Sequence, residues 1–403
     1  MSSSAPRSDG FFDVVIVGGG NAGISAAARL HRRGVASVAV IEPQRVHTYR
    51  PMLSYVGGGQ ASLRAAERTQ RSVTPRATTW LPDSALSVDT ATNTVRCASG
   101  RSYRYADLIL APGLVPDTDA LPGTHTALDA PDVASNYAHQ ADKTWRLIRD
   151  LPRGSHAVFT VPRPPVSCTG TTIKPLFLAA AHWKRANRLS GMQITLVVDR
   201  PAPLDSPPVA ARIRDGLQDL GVRVLLSTAV TSLAPARSAL TLSGPAGGTE
   251  EMHYDMLHLV PPFRGPRWLE SSALTAGQPH GLVDINPCTF RHRHHPGVWA
   301  VGDAAAVGTD PSGGALRRQV KILVDNLLAA RGGRDLQDYD GYTVAPVATD
   351  AHLLIPGEFD RTGAVTSSLP SFVDPLKPRR LAWAFDRYGL PQSYWHLILK
   401  GRL

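Results

Sequence analysis

The segment Phe12–Arg33, FDVVIVGGGNAGISAAARLHRR, constrains this chain more than any other. Its apolar run Val14–Val17 predicts a buried strand, and Gly18, Gly20 and Gly23 follow as G-x-G-x-x-G ahead of an Ala-rich helix. In such a turn the first glycine makes the tight bend and the second lets the backbone approach a pyrophosphate. The third lets the helix pack close to the strand, and the free N–H groups of the first helical turn face the phosphates. Nineteen residues beyond Gly23, Glu42 closes a second predicted strand, Ser37–Ile41. A carboxylate there can accept hydrogen bonds from a ribose diol. Glycine turns alone are common. Between a strand and a helix, with an acid at this distance, the turn marks a dinucleotide-binding βαβ unit.

Two later segments belong with it. Tyr103–Pro112 (YRYADLILAP) reads as an apolar strand closing on Gly113. Gly297–Asp303 (GVWAVGD) reads as another, followed by a predicted helix over Ala315–Arg331. Between them lies a second alternation: strand His156–Val161, helix Thr172–Ser190, strand Met192–Asp199, helix Pro208–Leu220 and strand Val222–Ser227. The pattern predicts an α/β fold of two Rossmann-like dinucleotide-binding domains, the second inserted in the first. The expected divisions are 1–115 and 285–345 for the first, 116–284 for the second, and 346–403 for a C-terminal segment. The second domain lacks a glycine turn. In its place stands VPRPPVSCTG (Val161–Gly170), whose Pro162, Pro164 and Pro165 remove N–H donors where a pyrophosphate needs them. The expectation is a retained fold without NAD(P)H binding, so that electrons enter from another donor.

Bulk properties exclude several classes. The 403 residues, 43% hydrophobic and 19% charged, have room for two or three cores. A net charge of +10 favours an anionic partner without choosing among membrane, nucleic acid and acidic ligand. No nucleic-acid module is recognisable, so none of that class is expected as a partner. Three cysteines, Cys97, Cys168 and Cys288, are too few and too scattered for a disulfide scaffold or a zinc site. Arg291-His292-Arg293-His294-His295 is read as a basic turn, because adjacent histidines point apart and arginines repel a cation; no metal is expected. Met1–Gly10 is polar, with no secretory core, and no apolar run is long enough to span a bilayer. These features predict a cytoplasmic protein in a reducing compartment.

The three dinucleotide segments, in this order, resemble flavoproteins with two dinucleotide-binding domains. That resemblance implies FAD at the first site, with Asp303 on the ribityl chain. The helix after Asp303 would aim its positive end at the flavin pyrimidine. The residues it assigns to FAD are Gly18, Gly20, Asn21, Ala22 and Gly23 in the turn, then Glu42, Pro43, Tyr49 and Pro51. Ala111, Pro112 and Gly113 follow the second segment, and Gly302, Asp303, Gly314 and Ala315 the third. His47 belongs to the same cofactor-framing loop. Cys168 is expected at the head of the helix that replaces the missing turn, where helix N–H groups lower a thiol's pKa. In this architecture that loop faces the flavin edge, which makes Cys168 the candidate redox or nucleophilic residue. Cys97 and Cys288 lack such a context.

More narrowly, the chain resembles the sulfide:quinone oxidoreductase family, and its mitochondrial-type branch most of all. The likeness runs through VIEPQRVHTYRPMLSYVGGG (Val40–Gly59), SNYAHQADKTWRLI (Ser135–Ile148), VPRPPVSCTG and YDMLHLVPP (Tyr254–Pro262). It continues in VWAVGDA (Val298–Ala304), DYDGYTVAPVATD (Asp338–Asp350) and GEFD (Gly357–Asp360). The resemblance implies a peripheral membrane flavoprotein in which sulfide attacks a cysteine disulfide beside FAD. A quinone removes the electrons, and sulfur leaves as a persulfide. Cys168 matches one of the family's two redox cysteines. The other directly follows Gly-Asp in the family and is Ala304 here. Pro311 stands where the mitochondrial branch carries lysine, and Arg317-Arg318 replace small residues. The ordinary disulfide cycle therefore cannot run unchanged.

The tail Pro375–Leu403 carries six Lys/Arg against one Asp, interleaved with Trp383, Phe385, Tyr388, Tyr394 and Trp395. Gly389-Leu390-Pro391 is expected to divide it into two short helices. Leu381, Phe385 and Tyr388 share a face of the first; Trp395, Ile398 and Leu399 share a face of the second. Basic helices with aromatic anchors suit a membrane interface, which would place the protein peripherally on the cytoplasmic membrane and near a quinone. The function expected from the whole is FAD-dependent oxidation of sulfide or a small thiol with quinone as acceptor and an altered sulfur cycle. The rivals are a soluble FAD-dependent tailoring oxidase acting on a small metabolite, a type II NADH:quinone oxidoreductase and a non-catalytic FAD-binding scaffold.

Overall fold

Strand Gly10–Val17 sits between Val38–Ile41 and Ser102–Leu110, parallel to both, with Val15 opposite Ala39 on one side and Leu108 on the other. The structure, a computed structural model, describes residues 9–368, 370 and 372–403; the polar stretch Met1–Ser8 lies outside it. Thr79–Leu81 extends one edge of the sheet, and Val298–Ala300, from far downstream, pairs in parallel with Ser102–Leu110. The ends of these strands are unbroken apolar runs, and Val14, Val15, Ile16, Leu108, Ile109 and Leu110 are fully buried. Such runs are expected of parallel strands covered on both faces.

The intervening chain builds a second, all-parallel sheet. Its order is Val133–Ala134, Met256–His258, His156–Val161, Gln193–Val198, Arg223–Leu225. Helices Thr169–Arg185 and Pro207–Asp219 make the crossovers, and a three-stranded antiparallel meander over 229–253 is appended. The architecture is the expected pair of Rossmann-like units, one inserted in the other. Each unit has its own core: Val15, Ile109 and Trp299 lie in the first, and Phe159, Phe177, Trp183 and Leu196 in the second.

The helix that carries the cysteine loop starts at Thr169, not at Thr172. Cys168 is its N-cap residue, in left-handed geometry at φ 57°, ψ 87°. Tertiary partners hold this first turn. The Thr169 hydroxyl donates to Asp310 at 2.9 Å, Arg200 donates to both, and the Cys168 N–H donates to the Pro311 carbonyl at 2.9 Å. A non-glycine residue in the left-handed region costs about 1–3 kcal/mol, and such strain tends to gather at functional sites.

The tail departs from expectation twice. Gly389-Leu390-Pro391 does not break it: helix Arg380–Ala384 runs through a widened π turn, Phe385–Gly389, into helix Leu390–His396. The widened turn makes room for the Pro391 ring, which would clash with the preceding turn of a regular helix. The second piece is core rather than free surface. Tyr394, Trp395 and Leu399 are buried, and the chain end at Gly401 packs on the backbone of Ala28 and Arg29. The first piece does leave Leu381, Phe385 and Tyr388 exposed. Among the described residues no helix is long and apolar enough to cross a membrane.

Candidate active site

The glycine turn has the geometry its spacing implies. Gly18 has φ +103°, and a side chain there would meet the Ala111 carbonyl oxygen at 2.1 Å. At Gly23 a Cβ would stand 1.9 Å from the Gly18 oxygen. Gly20 is different: nothing lies within 4 Å of where its Cβ would be, and no side chain caps the helix Asn21–Arg32 that follows. Free N–H groups thus face open space at the positive end of a helix, a cradle that fits a dinucleotide pyrophosphate. FAD would be held here.

Around the turn the predicted residues converge. Glu42 accepts the Gly19 and Gln44 N–H groups, each at 2.7 Å, so its carboxylate is fixed beside the turn. Ala22 packs beneath Gly302, which has φ +83°, and Asn21 donates to the Gly313 carbonyl at 3.5 Å. Ala111 is buried and hydrogen-bonded to Val17, and Pro112 and Gly113, both half-buried, follow it, Gly113 at φ +72°. Ala315 is buried ahead of helix Leu316–Arg331, and Gly314 packs on Val344. Pro51 begins helix Pro51–Gly57, while Pro43 is exposed.

His47, from the expected framing loop, is joined here by residues that local sequence does not announce. Gln70 donates to the Gly19 carbonyl at 2.9 Å, and His47 Nδ1 lies 3.1 Å from the same oxygen. Flanked by that carbonyl, Nδ1 carries the proton, so Nε2 accepts the Tyr394 hydroxyl at 2.5 Å. Burial lowers the His47 pKa and keeps the ring neutral. The Tyr394 and Tyr49 ring centroids are 4.4 Å apart, with Trp395 beside them. Two of the tail aromatics, Tyr394 and Trp395, therefore brace the cofactor loop.

Asp303 and Cys168 are half-buried, and Ser167, next to the cysteine, hydrogen-bonds Asp303. Burial raises the Asp303 pKa, opposed by that bond and by nearby Arg50. Tyr137 donates to the Ser167 carbonyl at 3.1 Å and bonds the Thr171 hydroxyl. The expected lowering of the Cys168 pKa is overturned. Burial pushes it up to about 11, against the opposing pull of Lys174 and of hydrogen bonds from Thr171. At neutral pH the resting group is a thiol. Desolvation of a charge outweighs the helix N-terminus here.

Lys174 is fully buried on the same helix and pairs with Asp386 of the tail at 2.8 Å; the Tyr55 hydroxyl donates to that carboxylate at 2.5 Å. The sequence carries one clue: a lysine within the apolar run Ile173–Ala181, and a single acid in a basic tail. The other cysteines stand apart from this cluster. Cys97 is buried in strand Thr94–Cys97 with its pKa raised to about 12, and Cys288 lies 3.6 Å from the Arg361 guanidinium. Ala304, at the position of the family's second cysteine, is fully buried.

Where a nicotinamide dinucleotide would enter the second sheet, a cavity of about 200 Å³ is lined by Thr160, Pro162, Arg163, Asp199 and Val260. Arg163 is committed there to Asp117 at 3.0 Å and to His280 at 2.9 Å. Among the described residues no group of three or more His, Cys, Asp or Glu could hold a metal ion.

The chain is similar to known proteins along most of its length. Residues 12–321 match the family model described as pyridine nucleotide-disulphide oxidoreductase. The chain is 30% identical over 397 residues to the mitochondrial sulfide:quinone oxidoreductase of Dictyostelium discoideum, covering 96% of this chain and 86% of that protein. The mouse (Mus musculus) mitochondrial protein of the same name is 28% identical over 395 residues, covering 97% and 87%. Among solved structures, the sulfide:quinone oxidoreductase of Aquifex aeolicus superposes with a TM-score of 0.79 at 18% identity, over 96% of this chain and 91% of that one.

Proposed function

We propose a single-cysteine sulfur cycle for this chain, which belongs to the sulfide:quinone oxidoreductase family and is an FAD-dependent oxidoreductase. Sulfide or a small thiol is the reductant and a quinone the acceptor. The observation that carries this reading is the placement of Cys168. It heads its helix in left-handed geometry next to Ser167, which hydrogen-bonds Asp303, while Ala304 leaves it without a partner thiol.

Bound FAD supplies a two-electron acceptor that a quinone can reoxidise. The turn from Gly18 to Gly23 would cradle its pyrophosphate, Glu42 its ribose and Asp303 its ribityl chain. Tyr49 and Tyr394 would wall the cleft. The sulfur step balances as Cys168–SH + H2S + quinone giving Cys168–S–SH + hydroquinone. One S–S bond forms, and two electrons and two protons pass to the quinone. A second thiol RSH then takes the outer sulfur, giving RS–SH and restoring Cys168–SH.

The deciding experiment is anaerobic titration of the flavin with sulfide and with NADH. Sulfide is expected to bleach it, and NADH to do so at least about a hundredfold more slowly, because Pro162, Pro164 and Pro165 offer no N–H groups to a pyrophosphate. Rapid bleaching by NADH would select the NADH:quinone reading instead.

Quinone access is proposed through the exposed face of the tail. Leu381, Phe385 and Tyr388 are 81%, 56% and 57% exposed, with Lys377 and Arg380 alongside. An apolar stripe beside basic residues suits an anionic membrane surface. Paired Leu381→Asp and Phe385→Asp substitutions are expected to cut flotation with anionic liposomes about tenfold without altering the flavin spectrum. Unchanged flotation removes this face from the proposal.

A further inference from the structure

We propose that Asp310, held by Arg200, is a positioning residue for the sulfur step. Through Thr169 it fixes Cys168, which the inserted unit carries, against the unit that holds the glycine turn. The inference rests on the single-cysteine reading and adds the side chains that set the thiol's place.

Cys168 heads a helix of the second unit, whereas Asp303 and the helix Leu316–Arg331 belong to the first. The distance from thiol to cofactor is thus a distance between two units, set where they touch. Residues 310–312, between Asp303 and that helix, are fastened on both sides. Toward the cysteine, the Thr169 hydroxyl donates to the Asp310 carboxylate at 2.9 Å, and the Cys168 N–H to the Pro311 carbonyl at 2.9 Å. Toward the first unit, the Thr343 hydroxyl donates to the Asp310 carbonyl at 2.7 Å. The Ser312 hydroxyl accepts the N–H groups of Ala315 at 3.1 Å and Val344 at 3.2 Å. The Cys168 thiol, in a long bond of 3.9 Å, donates to the carbonyl of the same Val344.

Arg200 ties this segment to the second unit. It is 5% exposed, and both of its Nη atoms lie 3.2 Å from Asp310 Oδ2, the oxygen that also accepts Thr169. Nη1 donates to the Thr169 hydroxyl at 3.0 Å, and Nη2 donates to Asp205. Stability alone is a weak reason for such a pair, since apolar residues of similar volume often serve as well. The strained neighbour supplies a better one. Cys168 keeps φ 57°, ψ 87° only while its surroundings over-determine it. Its carbonyl is held by Thr171 at 2.7 Å and Tyr137 at 3.3 Å, both in the second unit. The contacts to Asp310 and Pro311 carry the thiol's place across to the first. Without the Thr169–Asp310 link, the first turn is free to relax toward negative φ and take the sulfur with it. Asp310, Arg200 and Thr169 all act through Cys168.

The test pairs two measurements on the FAD-loaded protein. One is anaerobic stopped-flow bleaching over a range of sulfide concentrations; the other is peptide-resolved alkylation of Cys168 by iodoacetamide. Asp310→Ala would leave Arg200 without its buried partner, so the deciding variants lie at Thr169. Thr169→Val keeps the side chain's shape and the Arg200–Asp310 pair, and removes the hydroxyl between that pair and the cysteine's turn. It is expected to lower the limiting rate of bleaching about tenfold, with half-saturating sulfide within about twofold of wild type, because misplaced sulfur slows the chemistry rather than the capture. Alkylation is expected to run about fivefold faster, since a loosened turn opens more often. Thr169→Ser restores the hydroxyl and should return both rates to within about twofold of wild type. FAD content is expected to be the same in all three proteins. Equal limiting rates in Thr169→Val and wild type, or alkylation no faster in Thr169→Val, overturn the proposal. If sulfide does not bleach the wild-type flavin, the single-cysteine cycle falls. Alkylation of Thr169→Val against Thr169→Ser then still decides the clamp, equal rates overturning it.

Discussion

Cys168→Ser abolishes reduction of the flavin by sulfide, with a loss of at least about a thousandfold in the rate of bleaching. A serine hydroxyl ionises far above any working pH and cannot form the S–S bond on which the proposed balance depends. The fold should not notice the change. The residue's short bonds run through its backbone, from its N–H to Pro311 and from Thr171 to its carbonyl, and its one side-chain bond, from Sγ to the Val344 carbonyl at 3.9 Å, is long and of a kind a hydroxyl can also make. FAD content and melting temperature are therefore expected to stay as in wild type. The measurement is anaerobic stopped-flow absorbance with sulfide in excess. A soluble tailoring oxidase would keep most of its turnover with serine at this position, and that outcome would exclude the single-cysteine cycle. Cys288→Ser serves as the control, since Cys288 lies against Arg361 on another part of the molecule.

Two substitutions in the glycine turn separate folding from cofactor binding. Gly23→Ala forces a methyl group to within 1.9 Å of the Gly18 oxygen, a backbone atom that cannot swing aside. Overpacking of this kind costs about 1–3 kcal/mol or more, and both the melting temperature and the FAD content should fall. Gly20→Ala meets no protein atom within 4 Å, and φ −74° suits any residue. The apoprotein should keep its stability to within about 0.5 kcal/mol. FAD affinity should still drop at least about tenfold, because the methyl group occupies the space left for the pyrophosphate. Melting curves and FAD titration of the apoproteins measure both effects. Equal FAD affinity in Gly20→Ala and wild type would mean that the dinucleotide lies elsewhere.

Much of this site was legible because its signals are local. A strand, a glycine turn and a helix follow one another within Phe12–Arg33, and their spacing dictates how the backbone can turn. The head-of-helix position of Cys168 could likewise be read from the loop that contains it, although the helix begins one turn earlier than expected. What could not be read depends on distant partners. Tyr394 and Trp395 have the composition of membrane anchors, yet they pack on His47 and Tyr49 from the far end of the chain. The tail's one acid reads as a stray charge until Lys174 is beside it.

The sequence by itself determined two Rossmann-like sheets, a dinucleotide cradle beginning at Gly18, and a lone thiol on the loop that replaces a second cradle. Each follows from short-range rules: side-chain period, glycine's freedom at positive φ, and proline's missing N–H. Only the tertiary structure decided the ionisation of that thiol. The short-range rule for a helix N-terminus lowers a thiol's pKa, and burial reverses the sign. Desolvation and charge pairing depend on which groups the fold gathers around the sulfur, and they come from its own helix and from the C-terminal part of the chain.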